Sequence, residues 1–164
     1  MSLSIEKLAV HHQLAAFDCG KGDLNRFLQR FALPNQQSQS SQTYLALQDG
    51  QVVGYYSLTV GSVEHGDAPE RVKKGLPNYP IPVMILARLA IDRNHHGKGL
   101  GKGLLKDALL RTSQAAEIAG IRALLVHAMD DEAPKFYLHY GFQPSPTDQY
   151  HLFLVMKDIK RTAG

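Results

Sequence analysis

With 164 residues, 44% of them hydrophobic and 20% charged, the chain has the makeup of one globular domain rather than of a disordered segment or of two comfortable domains. Its net charge of +3 permits a nucleic-acid partner without demanding one. The single cysteine, Cys19, excludes an internal disulfide and a multi-thiolate zinc site and fits a reducing cytosol, while the absence of a basic leader at Met1–Lys7 and of a run of roughly 18 apolar residues points to a cytoplasmic protein with no membrane partner.

Ile5–Ala9 reads as a short strand. Asp23 is a plausible N-cap for a helix whose apolar residues Leu24, Phe27, Leu28 and Phe31 recur at spacings of three and four. Pro34 is expected to end that helix, and the polar Gln36–Gln42 stretch reads as a loop. Thr43–Leu47 and Val52–Val60 flank Asp49-Gly50, a strong hairpin signal. The Gly- and Pro-rich 61–80 segment reads as an irregular excursion with one helical turn near Glu70–Lys74, long enough to suggest a function. Val83–Ile91 is a nearly continuous apolar run containing Arg88, the pattern of a central strand buried on both faces.

Four glycines follow in alternation, Gly97, Gly99, Gly101 and Gly103, with Lys98 and Lys102 between them. The Leu104–Ala119 segment carries one apolar stripe and stops at Gly120, the pattern of a helix. Ala123–Ala128 reads as a strand, Glu132–Tyr140 as a helix closed by Gly141, and Leu152–Met156 as a last strand. The order predicts an α/β fold with helices on both faces of one mixed sheet, in a single domain over 1–164.

The glycines open a helix, where unpaired main-chain N–H groups and the positive end of the dipole favour phosphate. Two common phosphate motifs fail here. A Walker A loop needs Gly five residues before Gly101, where His96 stands, and Ser or Thr after Lys102, where Gly103 stands. The dinucleotide fingerprint needs Gly at 102, which is Lys. No His-Glu-x-x-His occurs, and the His11-His12 and His95-His96 pairs lack helical ligand spacing, so no metal is expected.

Leu86-Ala87-Arg88-Leu89-Ala90-Ile91, followed by Asn94-x-x-Gly97-x-Gly99, resembles the core motif of the GNAT family of N-acetyltransferases, with Asn94 where the family has Gln or Arg. In detail the chain is similar to the acetyltransferase toxins of bacterial toxin–antitoxin pairs, the TacT and AtaT type. The stretches that carry this are Phe17-Asp18-Cys19-Gly20 with Leu24–Leu28, Gly54–Leu58, Pro82-Val83, Val126-His127-Ala128, Phe136-Tyr137 and Gly141-Phe142. The resemblance implies a central sheet with a splayed strand pair. It implies acetyl-CoA as co-substrate, its pantetheine arm along Leu89, Ala90 and Ile91 and its pyrophosphate on the amides of His96, Gly97, Lys98, Gly99, Leu100, Gly101 and Lys102.

Asp130-x-x-Ala133-x-x-Phe136-Tyr137 resembles the stretch in which the family carries its proton donor. Asp130 (the family has Asn) and Phe136 would then line the cofactor site and Tyr137 would be catalytic, a phenol serving as a weak but usable acid for a leaving thiolate. The base stays open between His127, Glu64 and water. The resemblance further implies an aminoacyl-tRNA acceptor whose acetylation blocks translation, a ribbon-helix-helix antitoxin and a homodimer. Arg26 with Arg30, and Arg71 with Lys73 and Lys74, are candidate phosphate contacts. Two other functions fit the residues: acetylation of a protein amine or polyamine, for which Asp130, Asp131 and Glu132 could hold the amine, and a non-catalytic acyl-CoA-sensing module.

Overall fold

The computed structural model describes residues 3–163; Met1, Ser2 and Gly164, the outermost residues of the expected domain, lie outside the described residues. One seven-stranded mixed sheet runs in the order β1-β2-β3-β4-β5-β7-β6. Its strands are β1 (Leu3–Lys7), β2 (Gln42–Gln48), β3 (Gln51–Val63), β4 (Ile81–Ile91), β5 (Ala123–His127), β6 (Gln143–Pro144) and β7 (His151–Val155). The helices are α1 (Gly22–Arg26), α2 (Ala32–Gln37), α3 (Glu70–Lys73), α4 (Leu100–Ala116), α5 (Ala133–His139) and α6 (Met156–Ala163). The chain forms two compact units, one of residues up to Thr59 with Ala87–Ala108, the other of Val60–Leu86 with the chain from Leu109 onward. Among the described residues, no helix is long and apolar enough to cross a membrane.

In the first unit, β1, β2 and β3 pair antiparallel. The β2–β3 turn places Asp49 at φ 51° and Gly50 at φ 83°, the two positive values that a two-residue hairpin needs to match strand twist. Leu28, Leu45, Phe17, Phe27, Tyr55 and Ala90 form its core. Thr43 and Ser57 are fully buried and satisfy one another at 2.8 Å, which removes the penalty of two buried hydroxyls.

The first helical segment departs from expectation. It begins at Gly22, with Asp23 inside the first turn and paired to Arg26 rather than capping. Phe27–Phe31 then widens into a π turn, and α2 follows without a break. Pro34 does not end the helix. The π turn restarts the hydrogen-bond ladder, so Pro34 is the third residue of α2, where a missing N–H leaves no bond broken. Nor is Gln36 in a loose loop: its amide donates to Leu8 C=O at 2.7 Å and accepts from Thr43 N–H at 3.0 Å.

In the second unit, β4 and β5 run parallel from Val83↔Ala123 to Leu86↔Val126, and β7 lies antiparallel to β5. The pairing of β4 with β5 runs no further than Leu86↔Val126, although β4 itself continues to Ile91. Val72, Ile81, Val83, Leu125 and Phe153 fill the core. Arg122 ties α3's exit to β5, its Nε–H donating to Val72 C=O at 2.7 Å and its Nη2–H to Lys74 C=O at 2.9 Å.

Candidate functional site

The glycine turn begins one residue after β4. Asp92 is buried, and its carboxylate accepts N–H bonds from Asn94 at 3.0 Å and Asp18 at 3.2 Å. Burial pulls its pKa up, but the two N–H donors and His95 outweigh it and hold the group below the ordinary carboxylate value. A charged Asp92 therefore fixes where the chain turns out of the strand. The Asp18 side chain extends this network, accepting from Gly20 N–H at 2.8 Å and Asn25 Nδ2–H at 2.9 Å and facing Arg93 at 3.4 Å.

Gly97 and Gly99 both take φ 77°, a region costly to any residue with a Cβ. These two reversals present the main chain outward. Among the described residues, no protein group accepts a main-chain N–H from His96 to Lys102; the first helical bond of α4 runs from Gly103 N–H to Gly99 C=O at 3.1 Å. Seven consecutive amides are thus without a protein acceptor among the described residues at the start of a 17-residue helix, beside the exposed Lys98 and Lys102. Gly101 and Gly103 have ordinary φ values and sit inside α4. Gly54 serves a different need: a Cβ there would meet Ile91 Cδ1 at 2.9 Å, Leu104 Cδ1 at 3.0 Å and Ala90 C=O at 3.1 Å.

The other expected cofactor residues fall into place unevenly. Ala90 is buried in the first unit's core, while Leu89 and Ile91 are half-buried. His96 donates Nε2–H to Ile91 C=O at 2.8 Å, tying the turn back to the strand. Asp130 uses its carboxylate at the entrance to α5, accepting from Glu132 N–H at 3.0 Å and Ala133 N–H at 2.9 Å. Phe136 packs edge-on against Tyr137 and Tyr140.

Tyr137 is 6% exposed, with Phe136 and Phe142 edge-on to its ring at 5.1 and 5.4 Å. Burial pushes its phenol well above the ordinary value, and no hydrogen bond holds its hydroxyl among the described residues. Its ring is thus held on two sides. His127 stacks on His151 at 4.4 Å across the β5–β7 pair, and lost hydration, then the second imidazole, lower its pKa. Glu64 is exposed at the end of β3.

Two of the expected phosphate contacts are already engaged. Arg26 pairs with Asp23 and Arg71 forms a two-pronged bond with Asp158. Arg30, Lys74 and the half-buried Lys73 form no ion pair among the described residues. Arg71 and Lys74 line a groove of about 720 Å³ with Arg122, Lys157 and Lys160.

Glu6, His11 and His12 offer ligand atoms within 4.8 Å of one another. His12 Nδ1, however, accepts the Ala9 N–H at 2.9 Å, so a neutral ring carries its proton on Nε2, 3.4 Å from Glu6. That nitrogen serves a hydrogen bond and has no lone pair for a cation. Sequence reading missed Asp92 and Asp18; an aspartate between the last apolar residue of a strand and an Asn is the turn signal that points to the first.

The acetyltransferase (GNAT) domain family matches residues 39–144. A tRNA-acetylating toxin of Mycobacterium tuberculosis is 47% identical over 151 residues, covering 92% of this chain and 90% of the relative. The solved structure of AtaT complexed with acetyl-methionyl-tRNAfMet superposes with a TM-score of 0.90 at 32% identity, over 98% of each chain. A tyrosine-to-phenylalanine mutant of AtaT, bound to the C-terminus of the antitoxin AtaR and acetyl-CoA, gives a TM-score of 0.83 at 30% identity, over 97% of this chain and 96% of that one. With its glycine turn after β4, its mixed sheet and these likenesses, the chain belongs to the GNAT family of N-acetyltransferases.

Proposed function

We infer that the chain is a toxin that moves an acetyl group from acetyl-CoA to the α-amine of an aminoacyl-tRNA, blocking translation. The observation that carries this reading is the run of unpaired amides from His96 to Lys102, opened by Gly97 and Gly99. The donor set fits a diphosphate: several N–H groups, a helix N-terminus and two flanking lysines, with no side chain filling the space. Acetyl-CoA bound there supplies an activated acetyl thioester.

The residues divide the work. The amides of His96 through Lys102 hold the diphosphate, and the main chain of Leu89 and Ile91 lies along the pantetheine arm. Tyr137 keeps a proton on its hydroxyl and offers it to the departing sulfur. An α-amine has an ordinary pKa near 7.7–8.0, so water suffices to take its proton in neutral solution, with His127 or Glu64 as the protein alternatives. The tRNA acceptor rests on likeness to the Mycobacterium toxin and to AtaT with its acetylated tRNA. A ribbon-helix-helix antitoxin and a homodimer complete the proposal.

One observation weighs against a polyamine acceptor. The three carboxylates that would hold it are spent: Asp130 at the α5 entrance, Asp131 on the Tyr150 hydroxyl, Glu132 beside Lys135. The test offers labelled acetyl-CoA with charged tRNA, peptides and polyamines together. Label is expected on charged tRNA, and Tyr137→Phe is expected to cut turnover about 10²–10⁴-fold while retaining acetyl-CoA binding. Label on peptides or polyamines alone would overturn the acceptor, and full turnover by Tyr137→Phe would overturn its role.

A further inference from the structure

Arg88 is the one charged residue of β4, and it is half-buried. It shares a strand face with Ala90, two residues on, which belongs to the first unit's core. Its guanidinium carbon lies 3.7 Å from the centroid of the Phe27 ring. That ring is held in place, since Phe27 opens the π turn and stacks on Tyr55, whose hydroxyl donates to Leu24 C=O at 2.7 Å. π turns inside helices frequently mark functional positions.

A guanidinium carries five N–H donors. Among the described residues, none of those on Arg88 has a carbonyl or carboxylate acceptor. Four other arginines are engaged: Arg26 meets Asp23, Arg71 meets Asp158, Arg93 meets Asp18, and Arg122, half-buried like Arg88, donates to two carbonyls. Contact with one aromatic face offsets only part of the lost hydration. The remaining donors form a planar fork that suits a phosphate or carboxylate.

We propose that Arg88 receives the phosphodiester of the acceptor's terminal nucleotide and so positions the α-amine for transfer; this rests on the aminoacyl-tRNA reading above. An aminoacyl ester of a nucleotide carries a phosphate on the same ribose, at a fixed spacing from its amine. A peptide N-terminus or a polyamine does not. A fork fixed on β4 beside Leu89, one of the strand residues assigned to the acetyl donor, therefore separates these acceptors by a group distant from the reacting atoms. Arg30, exposed and with no ion pair among the described residues, lies on the same π turn as Phe27.

The experiment compares two small acceptors, a 3′-aminoacyl adenosine and the same compound with a 5′-phosphate. The wild-type protein is expected to favour the phosphorylated acceptor by roughly ten- to a hundredfold, expressed in KM. Arg88→Gln is expected to erase that preference, and Arg88→Lys to restore part of it, because the charge returns without the fork. Neither should change KM for acetyl-CoA or turnover of the unphosphorylated acceptor, which also reports that the variants fold. A preference that survives in Arg88→Gln, or is absent from the wild type, overturns the proposal while leaving the acceptor reading intact. A wild-type protein that acetylates neither ester nor charged tRNA overturns that reading and the proposal with it.

Discussion

Gly99→Ala and Gly103→Ala are expected to have opposite effects on stability, although they lie four residues apart in one glycine run. A Cβ at either position meets nothing within 4 Å, so packing does not distinguish them and backbone conformation does. Gly99 holds φ 77°, where a side chain costs about 1–2 kcal/mol, of which the stiffer unfolded chain returns about 0.4–1 kcal/mol. A net loss of about 1 kcal/mol follows, or about 2–4 °C in Tm for a chain of this size. Gly103 lies inside α4 with its amide already bonded to Gly99 C=O, so alanine should raise Tm by a similar amount. Titration calorimetry with acetyl-CoA separates them further. Gly103→Ala should bind as the wild type does, whereas Gly99→Ala, with a methyl group among the exposed amides, should bind about tenfold or more weakly. Equal melting temperatures, or wild-type affinity in Gly99→Ala, would refute the assignment of that turn to the diphosphate.

Gly54→Ala should lower stability by about 1–3 kcal/mol in chemical denaturation, because one of the three atoms crowding the new Cβ, Ala90 C=O, is main chain and cannot swing aside; an unchanged midpoint would count against the close approach. Arg122→Ala leaves the carbonyls of Val72 and Lys74 without their donors, at about 1–3 kcal/mol for each that stays buried, and limited trypsin digestion should then cut faster after Lys73 and Lys74. The folded His127 binds a proton less readily than the unfolded chain does. The unfolded state therefore takes up more protons as pH falls through the ordinary histidine value, and this contribution to stability, full above that value, is lost on acidification. His127→Gln should flatten the decline in urea midpoint between about pH 7.5 and 5.5, and a steeper decline would reverse the sign of the argument.

Where local chemistry decides a segment, it was legible in the sequence. Asp49-Gly50 marks a hairpin because both residues tolerate positive φ, and both adopt it. The same holds for Gly97 and Gly99, and for Gly141 after α5 at φ 90°. What escaped depends on partners far along the chain. Pro34 reads as a terminator on an α-helical count, and only the π turn at Phe27–Phe31, set by ring packing on Tyr55 and Arg88, moves it into a first turn. β6 is two residues long, too short for any alternation. Met156 reads as the end of the last strand but opens α6, which Arg71 anchors through Asp158. The family motif led to the turn residues, yet it reads Asp130 as a cofactor contact, whereas its carboxylate accepts the Glu132 and Ala133 N–H groups at the entrance to α5.

The bond from Asp18 N–H to the Asp92 carboxylate, together with Arg93 N–H to Asp18 C=O at 2.9 Å, joins segments 74 positions apart. Closing so long a loop is entropically slow, and contacts of that separation form late. During synthesis, which proceeds from the N-terminus, Asp18 emerges and waits for its counterpart. The bend after β4 therefore cannot take its final form until Asp92 and Arg93 have left the ribosome, more than half-way through synthesis of the chain.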